Sequence, residues 1–321
     1  MGTFMGHVLP GSFFGTFACW WIYNVFLRYH ACMRATAQGG AGARTPYINT
    51  CTFPCRCLPR LPVEACMKVS VVVIGIIGEL VTGFEDGHFV HLGNAQHMTM
   101  YFFFGLNGVV DILTHYRLPL PPASDYVSAA LAFCMEGVLF LYHLHGRTPM
   151  DVQLHMLLMY VVAGNIVAIL LEMYYRRSVM PALLRCYFTL LQGTWFIQVG
   201  YILYPPIGNH WDENDHGQMM IVTLMFCWHN GVVFTLMLLI CFLVHAQVRM
   251  LSNGALYRIL HPSPPPSPPP LPHPYPQLLS SRKWIRSRFV GLLMIRMRRM
   301  CSGDGVVLWC CGCEFVLVLS F

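Results

Sequence analysis

The feature that most constrains this chain is a series of seven long apolar segments almost free of charge: Val8–Tyr29, Val63–Gly83, Ala95–His115, Ser124–Leu144, Val152–Tyr175, Ala182–Leu203 and Met219–His245. A bilayer's hydrocarbon core is about 30 Å thick, and roughly 20 apolar residues of helix cross it with every backbone polar group satisfied internally. Each segment has that length, so the sequence predicts an all-α fold, a polytopic seven-helix transmembrane bundle. Charged residues make up 11% of the chain against about 25% in soluble domains, which points the same way.

Basic residues are retained on the cytosolic side during insertion, so the loops give the orientation. Arg34, Arg44, Arg56 and Arg60 lie in the first loop, Arg117 in the third, and Arg176 and Arg177 in the fifth. The second and sixth loops hold Glu85, Asp86, Asp212, Glu213 and Asp215 and no Lys or Arg. The N-terminus is therefore expected outside or in a lumen and the C-terminus in the cytosol. Composition changes at the end of the seventh segment, which divides the chain into a transmembrane domain, 1–247, and a cytosolic tail, 248–321. The tail carries a Pro-rich run, His261–Pro276, a basic stretch, Arg282–Arg299, and an apolar end with Cys310, Cys311 and Cys313. Its composition predicts extended or disordered chain.

The net charge of +6 sits in that tail: residues 1–248 hold 11 Lys or Arg against 12 Asp or Glu, and residues 249–321 hold 9 against 2. Without a basic field on the transmembrane body, no nucleic-acid partner is expected, and the lipid bilayer is the expected contact. The cysteines fall within apolar spans or beside the cytosolic loops, so no disulfide is predicted.

An ionisable side chain at bilayer depth costs at least a few kcal/mol, and each one needs a partner or a purpose. At about 1.5 Å per residue, His7, His97, His155, Glu79, His143 and His145 fall near the outer ends of their helices, with Glu136 and His229 deeper. Neutral imidazoles beside a carboxylate suit zinc, and a Glu next to bound water suits a general base. Paired histidines also suit haem iron, and a Glu/His chain suits a proton relay. The plainest alternative is a set of interhelical hydrogen bonds. As metal ligands the sequence favours His97, His143 and His155, with His7, His145 and His229 as alternatives and Glu79 and Glu136 as ligand or base. A second group, Asp111, Glu172 and Arg185, lies in the inner half and is expected to form a structural charge cluster.

A seven-helix chain with an outside N-terminus raises the question of a receptor, but the seventh segment has no Asn-Pro-x-x-Tyr and the third ends Asp111-Ile-Leu-Thr-His115-Tyr-Arg117. Other stretches do carry a likeness: Gly6-His7-Val8-Leu9-Pro10-Gly11-Ser12-Phe13-Phe14, His97-Met98-Thr99-Met100-Tyr101, Glu136-Gly137, Tyr142-His143-Leu144-His145, Leu191-Gln192-Gly193-Thr194-Trp195-Phe196 and Phe226-Cys227-Trp228-His229. Over about residues 1–247 these resemble the transmembrane protein 45 family, and the tail departs from that family's short polar tails. The resemblance implies a multi-pass protein of endomembranes such as Golgi and endosomes, or of the plasma membrane. That family has no established enzymatic activity, and the resemblance points to a role through protein partners in trafficking or scaffolding. An intramembrane metal or haem protein is the alternative.

Overall fold

A computed structural model of the chain describes residues 3–38, 47–55, 57–144, 146–208 and 210–260. Among them are seven helices: α1 (Phe4–Gln38), α2 (Val63–Gly83), α3 (Leu92–His115), α4 (Ser124–Tyr142), α5 (Pro149–Tyr174), α6 (Val179–Leu203) and α7 (His216–Leu260). Each contains one of the apolar segments or most of it. α1 and α7 run further than apolarity suggests, because residues such as Ala31, Met33, Arg34 and Ala35 keep helix propensity after they lose hydrophobicity. By length and composition α2, α4, α5 and the Met-rich α7 are apolar enough to cross a membrane. α1, α3 and α6 spend more positions on Gly, His, Thr, Trp and amides, as Gln192, Thr194, Trp195 and Gln198 show for α6.

The all-α expectation misses one small element. β1 (Phe84–Glu85) pairs antiparallel with β2 (His88–Phe89), and the connecting Asp86 and Gly87 have φ of 50° and 78°. Two successive positive φ values make the tight hairpin turn that Asp-Gly favours.

Backbones pack in the order α2, α3, α4, α5, α6, α1. The α1/α6 crossing is closest at glycine: a Cβ on Gly193 would stand 2.6 Å from the Gly15 nitrogen and 2.7 Å from the Gly11 carbonyl oxygen. Small residues let helix backbones meet where no hydrophobic effect drives them together. α1 and α2 are joined by side chains, the indoles of Trp20 and Trp21 donating to Glu64 at 2.9 and 2.7 Å. α7 packs outside against α5, α6 and α1 through Gln153 with Thr223, Tyr187 with Asn230 and Tyr23 with Gln247. Ile74, Ile77 and Val81 on α2 and Trp228, Val232 and Phe242 on α7 are exposed, the surface expected where lipid is the solvent.

The chain divides into compact units at Leu256/Tyr257, and α7 continues beyond the compositional boundary at 247. The Pro-rich, basic and cysteine-bearing tail stretches, with Arg44, Arg56 and His145, lie outside the described residues.

Candidate functional site

Within the first unit, α1 to α6 and the loop ahead of α2 enclose a cavity of about 500 Å³, inside the range of roughly 300–1,000 Å³ typical of small-molecule sites. Its middle is aromatic. Phe14 stacks on Phe196 with centroids 5.9 Å apart, and Phe104 meets the edge of Phe133 at 5.2 Å. Both ends are polar.

The outer end is organised by the start of α5. Thr148 caps the helix by accepting from the Asp151 nitrogen at 3.4 Å, with Pro149 in the first turn, an arrangement in which the missing proline donor costs nothing. One turn on, Asp151 holds Arg147 and His155, each at 2.7 Å. Arg147 also contacts His143 Nε2. Gln96 contacts the other ring nitrogen, Nδ1. His97 pairs with Glu79 at 3.2 Å, and its ring lies 5.4 Å from that of His143. The His7 Nδ1 bonds the Thr3 carbonyl at 2.9 Å, and its ring stands 6.0 Å from His155.

Of the residues proposed from sequence, His7, Glu79, His97, Glu136, His143 and His155 all line this one cavity. His229 instead packs its ring against Trp195 at 5.3 Å. Yet among the described residues no three His, Cys, Asp or Glu side chains gather as a metal would require. The zinc alternative therefore gains no support from the described residues. Both nitrogens of His143 are occupied, Asp151 and Glu79 hold His155 and His97, and Glu136 takes two bonds from Gln192 at 3.0 and 3.1 Å. That amide continues a buried chain, with Asn165 donating to Gln192 at 2.9 Å and Thr189 to Asn165 at 3.0 Å. Asn165, one amide in the run Val161-Val162-Ala163-Gly164-Asn165-Ile166, was the available signal for the rest of the chain.

At the inner end the expected trio separates. Arg185 pairs with Glu172 at 2.6 Å, and the Tyr126 hydroxyl donates to the same carboxylate at 3.1 Å. Asp111 is not the third member: it binds Lys68 at 2.7 Å, and Lys68 also lies 3.8 Å from Glu64. The sequence reading overlooked Glu64 and Lys68, although their i,i+4 spacing in an apolar helix is a visible ion-pair signal. Trp21 joins the two pairs, with the Arg185 guanidinium 4.5 Å and the Lys68 ammonium 5.3 Å from its ring. Two buried atoms stay without a hydrogen-bond partner in this region, Arg185 Nη1 and Asp111 Oδ1. Cys51, carried in by the loop before α2, lines the same end, and burial pushes its thiol up, so it is a neutral soft group and not a thiolate.

Residues 123–242, which span α4, α5, α6 and much of α7, match the model of a "Family of unknown function (DUF716)". Human Transmembrane epididymal protein 1 is 31% identical over 137 residues, 42% of this chain and 50% of that protein. Mouse Transmembrane epididymal protein 1A is 25% identical over 242 residues, and the rat Transmembrane epididymal protein 1 is 24% identical over 243, each alignment covering 71% of this chain and 76% of the relative. The chain thus spans half the length of the human relative it matches. With four helices among the described residues apolar enough to cross a bilayer, this homology makes the chain a membrane protein in contact with lipid. The stretch matched by the family holds Glu136, His143, His155 and Arg185, which line the cavity, and Glu172 and Gln192, which bind Arg185 and Glu136.

Proposed function

We propose that this is a seven-span endomembrane protein of the transmembrane protein 45 type that binds an amphipathic, lipid-like molecule within its bundle, and that it is not an enzyme. The observation that carries the reading is the cavity: an aromatic middle between two polar ends matches a molecule with an apolar body, and hydrogen-bonded outer histidines favour shape over chemistry. The seam between α1 and α2, joined by side chains at Glu64, is the natural side entrance from the bilayer. A role in trafficking through protein partners follows if the bound molecule is a membrane component that the protein presents or senses.

Detergent-purified protein is expected to carry about one lipid-like molecule per chain by native mass spectrometry. Val72→Trp with Ala129→Trp, at two positions that line the cavity, should remove it and leave the fold intact. An empty wild-type protein that gains nothing from added lipid would overturn the reading, and stoichiometric zinc or a Soret band would restore the metal alternative.

The topology follows from the basic first, third and fifth loops. A tag after Phe321 should be reachable only from the cytosol, and one inserted between Glu213 and His216 only from the lumen or outside. Both tags on one side would refute seven spans.

A further inference from the structure

We infer that the molecule bound in the cavity carries a protonated amine, which forms an ion pair with Glu136 on the wall that α4 contributes. The inference rests on the cavity reading above and adds the chemical class of the ligand.

The α4 residues that line the cavity are Ala129, Phe133, Glu136 and Phe140, with His143 just past the helix end. They recur every three or four positions, so they share one face of the helix, and Glu136 stands in the middle of it. Gln192, its amide partner, is 0% exposed and is not part of the wall, whereas Glu136 is on the wall and keeps 2% exposure. The carboxylate therefore lies between the amide and the open space. From α3, the Tyr101 hydroxyl, on another part of the wall, interacts with it electrostatically.

Among the described residues Glu136 has no ion-pair partner. Its hydrogen bonds come from Gln192 alone, and the cations of the wall are committed elsewhere, Lys68 to Asp111 and Glu64, Arg147 to Asp151 and Arg185 to Glu172. Glu79, the other carboxylate on the wall, has His97. A buried acid that faces only a neutral amide is the costly arrangement that a counter-ion relieves. An amine relieves it whichever side brings the proton: an ammonium meets the carboxylate, or a neutral amine takes the proton of the acid, and the product is the same pair.

The surroundings select an organic cation. A calcium or magnesium ion takes roughly six or more oxygen ligands, whereas the wall beside Glu136 is phenylalanine, with Phe133 5.2 Å from Phe104 and Phe140 5.8 Å from Phe196. Ring faces attract an ammonium, and Phe14, Phe104 and Phe133 then flank the apolar body. A fatty acid or a phosphate head would instead bury a second negative charge against the first. Long-chain amines and sphingoid bases share the required chemistry.

The test compares photoreactive diazirine probes of equal chain length on full-length protein in a neutral detergent: a primary amine, the matching alcohol and the matching fatty acid. Labelled peptides are mapped by mass spectrometry. The amine is expected to label cavity residues at a concentration at least roughly ten-fold lower than the alcohol, the range of one hydrogen bond between charged groups, and the acid should be the weakest of the three. Glu136→Gln keeps the shape of the side chain and should bring the amine to the level of the alcohol, with the alcohol's own labelling unchanged. Glu79→Gln should leave the amine preference in place. A preference that survives Glu136→Gln, or is lost in Glu79→Gln alone, overturns the assignment to Glu136. Wild-type protein that takes acid or alcohol as well as amine overturns the amine head whatever the variants do, and leaves the cavity reading standing. Labelling confined to the outer surface for every probe, on protein whose size-exclusion profile is that of a folded monodisperse species, overturns both.

Discussion

Arg185→Ala made alone is expected to destabilise the bundle by roughly 3–5 kcal/mol, the usual cost of stranding one partner of a buried ion pair. The partner left behind is Glu172, 0% exposed, which would keep one bond from the Tyr126 hydroxyl and lose its only ion-pair contact among the described residues. Losing the guanidinium also removes the contact with Trp21 at 4.5 Å, so α1 loosens along with α5 and α6. Glu172→Ala should be comparably harmful from the other side, because it strands a buried guanidinium with one nitrogen already unpartnered. The double variant Arg185→Leu/Glu172→Leu is expected to regain most of the loss, since apolar replacement of both partners is often neutral. Thermal unfolding in one detergent, followed by Trp fluorescence and size exclusion, reads all three. A double variant as unstable as the singles would show that the pair contributes something beyond mutual neutralisation.

Gly193→Leu should also be damaging, for a different reason. A Cβ at this position meets backbone, the Gly15 nitrogen at 2.6 Å and the Gly11 carbonyl oxygen at 2.7 Å, and backbone cannot swing away as a flexible side chain does. α1 would have to lift off α6, and overpacking of this kind costs about 1–3 kcal/mol or more. Helix propensity acts in the opposite direction, since replacing a helical Gly gains up to about 1 kcal/mol. Gly193→Ala is therefore expected to lose by a smaller margin than Gly193→Leu, and Gly231→Ala on α7, where nothing lies within 4 Å of the added Cβ, should come out neutral or slightly stabilised. The same unfolding assay gives the order. Gly193→Leu at wild-type stability would mean that the α1/α6 crossing is not as close as 2.6 Å implies.

How much of this was legible in advance differs from residue to residue. Lys68 and Glu64 stand four apart inside an apolar helix, so their pairing was readable on one chain, but Asp111 as Lys68's partner was not, because it depends on α2 lying beside α3. The same ignorance of neighbours assigned Asp111 to Arg185, which lies on α6. His97, His143 and His155 share a cavity as their depths suggested. Their ring nitrogens turned out to be taken by Glu79, Gln96, Arg147 and Asp151, and depth along a helix says nothing about which way a ring turns.

The sequence by itself determined the positions of the helices, though not how far α1 and α7 run, and the lipid-facing character of the chain, because backbone satisfaction in hydrocarbon leaves apolar segments of this length little choice but helix. It also set which residues lie at each depth, since rise per residue is constant. Only the tertiary structure decided which helices adjoin, which carboxylate meets which cation, and that an aromatic-walled space remains between them with Arg185 Nη1 unpartnered at its end. Those outcomes rest on contacts such as the Gly11/Gly193 approach, which depend on shapes from segments far apart in the chain and leave no periodicity in either one.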